Sequence, residues 1–169
     1  MRVTINRSLL IVAACVSIVA FSACRATSTT RTTSESAGQT TRSAILGTWT
    51  GTSTCVGNRP ACKNETVVYR FVPVDGHPDQ VRLLADKIIE GKRVSMGALV
   101  FDVDEQGGTL RGEFQRGQTH GLWSFTVAGD TMNGTLVVLP EGTVGRDVKV
   151  RRATDDEVPA APPMSDYDE

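Results

Sequence analysis

The chain has 169 residues, 40% of them hydrophobic and 22% charged, and its 18 basic and 19 acidic side chains leave a formal net charge of −1. That balance provides no basic face, which excludes the electrostatic footprint of a nucleic-acid partner. The charge is nevertheless uneven: residues 1–43 hold five Arg and one Glu, 44–154 are close to neutral, and 155–169 hold six acids and no base.

Arg2 and Arg7 give a basic start, Leu9 to Phe21 is a run of 13 residues without charge, and Ser22-Ala23-Cys24 closes it with small side chains. This is the layout of a secretory signal peptide. The run is shorter than the roughly 20 apolar residues of a transmembrane helix. Phe21-Ser22-Ala23-Cys24 resembles the lipobox of bacterial lipoproteins, with Phe21 standing where Leu is usual. The resemblance implies a signal peptide over 1–23 and lipidation of Cys24, with palmitate among the acyl chains. Burial of each methylene contributes about 0.8 kcal/mol, so the chain would be held on a membrane of the cell envelope, facing the periplasm or the exterior. The alternative is a plain secretory signal cut after Ser22, which leaves Cys24 as a free thiol.

Residues 24–43 are rich in Ser and Thr. Such a segment buries too little apolar surface to offset its ordering entropy, so a disordered tether is expected there. The acidic, Pro-rich segment 154–169, with Val158-Pro159-Ala160-Ala161-Pro162-Pro163 at its centre, reads as a disordered tail for the same reason. Residues 44–153 remain for one domain, a common size.

Of the four cysteines, Cys15 lies in the signal and Cys24 at the proposed anchor, which leaves Cys55 and Cys62. In an exported chain they are expected to pair as a disulfide around the turn-rich Val-Gly-Asn-Arg-Pro-Ala. A redox pair favours a two-residue spacer, and no His or Cys stands nearby to complete a metal set.

The domain alternates between apolar and polar residues in short runs. Leu110, Gly112 and Phe114 face one way, as do Trp123, Phe125 and Val127. Turn signals at Gly107-Gly108, Gly129-Asp130, Asn133-Gly134 and Glu141-Gly142 punctuate them. Period two with polar partners predicts sheet with one buried face. The runs place about eight strands near 46–55, 65–73, 80–89, 93–103, 108–115, 120–128, 130–139 and 143–152. One is ambiguous: Val81, Leu84, Ala85, Ile88 and Ile89 have helical spacing, with Asp79 and Gly91 as cap signals. The neighbouring connections are too short for a mixed α/β plan, so a strand with a bulge is expected. The fold class predicted is all-β: a small antiparallel up-and-down β-barrel of about eight strands between a disordered tether and tail.

The opening Gly47-Thr48-Trp49-Thr50-Gly51 resembles the Gly-x-Trp start of the calycins, the superfamily of lipocalins, avidins and related small barrels. The resemblance implies that Trp49 plugs the closed end and that a basic residue of the last strand, Arg151 or Arg152, packs across its ring. Haem-binding barrels with a similar opening use a His near the C-terminus, and none follows His120, so no cofactor is implied.

His77 sits in an evident turn with Asp75 and Asp79, where a solvated His is the ordinary reading rather than a metal ligand. No nucleophile elbow, phosphate loop or zinc spacing appears. No catalytic residue, metal site or cofactor is therefore expected, and the chain reads as a monomer with a binding role. The partner is a small apolar ligand or an envelope protein, as for exported barrels that inhibit lysozymes or proteases; a purely structural lipoprotein is the further alternative. Tyr69, Phe71, Phe101, Phe114, Trp123 and Phe125 alternate inward and are expected to fill much of the barrel, leaving little room for a large ligand. A binding rim is expected at the end away from Trp49, with loops 56–61 and 104–108 and the side chains Arg59, Arg116 and His120.

Overall fold

A computed structural model of the chain describes residues 42–104 and 108–167. The signal peptide, Cys24 and the tether up to residue 41 lie outside the described residues.

Eight strands follow one another: β1 (Gly47–Cys55), β2 (Glu65–Val74), β3 (His77–Ile89), β4 (Lys92–Asp104), β5 (Thr109–Arg116), β6 (Thr119–Ala128), β7 (Thr131–Leu139) and β8 (Thr143–Ala153). Each pairs antiparallel with its neighbour, and β1 also pairs with β8, so the sheet closes as an up-and-down barrel. Closure gives every strand a partner on both sides, the β4–β5 seam being joined over the shortest length. The segment 80–89 is strand, and its pairing with β4 shifts register between Ala85 and Asp86.

Inward positions form the core: Trp49, Val67, Tyr69, Phe71, Val81, Leu83, Phe101, Leu110, Phe125, Met132, Val148 and Val150 are all buried. Rings meet edge-on through its middle, with centroids of Phe71–Phe101 6.1 Å apart and Phe101–Phe125 5.5 Å apart. Edge-to-face pairs satisfy the ring quadrupoles. Inward glycines make the room: a Cβ at Gly134 would overlap the Phe125 ring, and one at Gly51 would overlap the Lys149 carbonyl oxygen of the adjoining strand.

Trp49 closes one end. It is fully buried, and its Nε1 donates to the Ile45 carbonyl at 2.9 Å, which folds a helical turn at 42–45 under the barrel. Arg152, its cross-strand partner in β8, lies 4.3 Å from the ring centroid. Its guanidinium donates to the Leu46 and Ala44 carbonyls and pairs with Asp130 at 3.2 Å. Arg152 is thus the residue across Trp49. Arg151, one position earlier, faces outward and pairs with Glu157.

The C-terminal segment departs from its expectation. Residues 154–167 are not a free tail but a strap over the outer face of β2, β3 and β4. Asp155 accepts from the Thr48 hydroxyl at 2.7 Å, and Val158 packs on Val68, Ala153 and Ile88. The strap ends in a short 3-10 turn, Met164–Tyr167. There the Tyr167 hydroxyl donates to both carboxylate oxygens of Asp86 at 2.8 and 2.9 Å. Asp86 is fully buried and also accepts from Arg93 at 2.5 and 2.8 Å. A buried carboxylate is tolerated only when it is paired and hydrogen-bonded. The acidic, Pro-rich composition suggested disorder; two apolar anchors and this outer-wall ion pair supply the burial that composition alone did not promise. Among the described residues, the folded unit therefore extends past 153 to include the strap up to Tyr167.

Candidate functional site

Successive strands alternate in direction, so the β2–β3, β4–β5 and β6–β7 turns lie at the Trp49 end. The β1–β2, β3–β4, β5–β6 and β7–β8 loops ring the opposite, open end. This corrects one expectation: Asp104 and Gly108 belong to the plugged end, where the Val127 amide donates to the Gly108 carbonyl.

The open half is not filled. A cavity of about 480 Å³ lies there, which falls within the range of roughly 300–1,000 Å³ typical of small-molecule sites. Trp123, Phe125 and Tyr69 line it from the interior, and Leu83, Met96 and Leu99 line the β3–β4 side. Phe114, Gln115 and Arg116 contribute the β5 wall. Trp123 stacks on Phe125 with planes 9° apart, and Tyr69 meets Phe125 edge-on, so the floor is a rigid aromatic platform. All six expected rings lie on inward rows: Tyr69, Phe71, Phe101 and Phe125 are buried in the core, while Trp123 and Phe114 are half-buried and line the cavity.

The cavity exists because one seam is incompletely zipped. β4 and β5 pair only through Asp102–Arg111, Val103–Leu110 and Asp104–Thr109, at their Trp49 ends. Above those residues the two strands form the facing walls of the cavity.

Polar groups sit across the mouth from this apolar wall. Arg146 in β8 donates to Ser53 at 2.9 Å and pairs with Glu65 at 3.1 Å, and Lys87 reaches Glu65 at 3.5 Å. Ser53 in turn hydrogen-bonds the Tyr69 phenol. Burial holds that phenol well above its usual range, against the opposing pull of Arg146.

The expected rim residues separate into three situations. Arg116 continues the inward row of Leu110, Gly112 and Phe114 and stands at the lip of the cavity. His120 pairs with Glu113 on the outer wall of β5 and β6, away from the cavity. Arg59 lies in the β1–β2 loop and donates to Thr143 at 3.0 Å, tying that loop to β8. Cys55 and Cys62 are joined as a disulfide, Cα atoms 6.0 Å apart, which closes the same loop. Sequence reasoning did not single out Leu83, Met96 and Leu99 as wall residues. Their signal was present in the inward alternation of β3 and β4.

Among the described residues no group of three or more His, Cys, Asp and Glu side chains could hold a metal ion, and no helix is long and apolar enough to cross a membrane. Compared with known proteins, the chain matches no family model, and no curated protein matches it, so a functional reading has to be built from the barrel itself.

Proposed function

We propose that this protein is an exported envelope lipoprotein, anchored through Cys24, whose calycin-like barrel binds a small, largely apolar ligand without catalysing its conversion. The observation that carries the binding role is the cavity of about 480 Å³ with its aromatic floor and aliphatic wall. Concave, mostly apolar pockets with a few convergent polar groups are the usual form of small-molecule sites. The lining is mostly aromatic and aliphatic, with Tyr69, Gln115 and Arg116 as its polar members. The Gly47-Thr48-Trp49 opening with Arg152 over the indole supports the calycin-like reading.

Native mass spectrometry of the mature chain purified without delipidation tests the binding role. A bound small molecule, displaced by a fluorescent apolar probe, is the expected result; a chain that carries nothing and takes up no probe would overturn it. Labelled palmitate should enter the wild-type chain and be lost with Cys24→Ser. A second reading, in which the open rim docks an envelope protein, draws support from Ile89 and Val94, which are exposed on the β3–β4 hairpin beside the mouth.

A further inference from the structure

We infer that the ligand is a single-chain amphiphile with one anionic head group, its chain in the cavity and that head on Arg116. This rests on the binding function proposed above and specifies its ligand class.

The first argument is charge. At the mouth the cations Lys87 and Arg146 meet the carboxylate Glu65, while Arg116 stands at the lip of the cavity. Glu65 is shared by Lys87 and Arg146. Arg116 makes no ion pair among the described residues. The nearest carboxylate on its own strand, Glu113, faces the outer wall and is engaged by His120. Arg116 is also the single formal charge in the cavity lining. An unneutralised guanidinium at the edge of an apolar pocket favours a planar or tetrahedral anion, which it can meet with two parallel N–H donors.

The second argument is shape. The cavity lies in the lower half of the usual volume range, which suits one acyl chain rather than two. Met96 and Leu99 give one wall an adaptable, unbranched character, and Met in particular adjusts to chains of different length. Trp123 and Phe125 give the floor a flat apolar face. Nothing in the lining offers a counter-charge to a cationic head.

The test uses the full mature chain carrying Cys24→Ser, so that no detergent competes. Trp123 lines the cavity and reports occupancy, whereas Trp49 is sealed at the other end and gives a constant background. Decanoate, 1-decanol and a lysophosphatidic acid with a ten-carbon chain are titrated below their aggregation thresholds. Decanoate or the lysolipid should bind about tenfold or more tightly than decanol, the gain expected of a charge-assisted hydrogen bond. The better of the two anions identifies free acid or glycerolipid as the source. Arg116→Gln should reduce the anions to the level of decanol and leave decanol unchanged. Equal binding of anion and alcohol, unaffected by Arg116→Gln, would overturn the charge selection while leaving the binding function standing. No response of Trp123 to any of the three would sink both.

Discussion

The strap over β2–β4 makes a sharp prediction, because one hydroxyl secures its end. Tyr167→Phe keeps the ring, which is buried, and removes only the O–H that bridges the two oxygens of Asp86. Oδ2 keeps both bonds from Arg93, at 2.5 and 2.8 Å, so the charge stays paired while Oδ1 loses its donor from Tyr167. A hydrogen bond to a charged group contributes about 1.5–3 kcal/mol. With Arg93 in place, a loss of about 2 kcal/mol is expected, a substantial part of the roughly 5–15 kcal/mol that stabilises a typical domain. For a unit of this size the melting temperature should fall by about 8 °C. Urea unfolding of the mature chain, followed by tryptophan fluorescence, measures the change. The midpoint should move with an unaltered slope, since the surface exposed on unfolding is nearly the same. A change within about 0.5 kcal/mol, the range of ordinary surface substitutions, would refute the reasoning and return the segment to a solvated tail.

Further outcomes follow from the same geometry. Burial, then the hydrogen bond and charge of Asp86, push the Tyr167 phenol up to about 12. The folded state thus holds that proton more tightly than the unfolded chain, where it leaves near pH ~10. Its contribution is complete below about pH 10 and is lost as the pH rises through about 12. Stability measured across that window should fall, and less steeply in Tyr167→Phe. Replacing Cys55 and Cys62 by Ser should cost about 2–3 kcal/mol in thermal or denaturant unfolding while the far-ultraviolet spectrum stays that of a barrel. Trp49→Ala removes a fully buried indole and its cation–π contact with Arg152, so about 3–5 kcal/mol should be lost, read by the same unfolding assay. Gly134→Ala should cost about 1–3 kcal/mol, since its methyl group would collide with the Phe125 ring.

The barrel was legible because most strands bury one face and wet the other. Leu110, Gly112 and Phe114 against Thr109, Arg111 and Glu113 is a pattern no helix satisfies. The strap was legible only indirectly. Val68 is buried beside Val67, and Leu84 between Leu83 and Ala85, because β2 and β3 are covered on both faces. Those doubled apolar residues are what gave 80–89 its helical spacing. They were the trace of a partner lying 70 or more residues further along the chain, beyond any local window. The Trp49 plug could be read from its motif, but the choice between Arg151 and Arg152 needed the β1–β8 register, which pairs Arg152 with Trp49. Arg116 could be placed at the rim from alternation. The cavity beside it could not, since it depends on how far β4 and β5 zip together.

The helical turn at 42–45 tucks beneath Trp49, so whatever precedes residue 42 is joined to the barrel at its sealed pole. The barrel is a cup whose described chain enters at the base. β3 has 13 residues, which at ~3.3 Å each and a strand tilt of ~40° gives a height of roughly 30 Å. Under the proposed anchor, cargo drawn from the anchoring layer would have to climb that height to reach the brim. Cargo arriving from the opposite side would meet the brim directly. Anchored through its N-terminus as proposed, and with the expected tether drawn out, such a cup would turn its mouth away from its anchor.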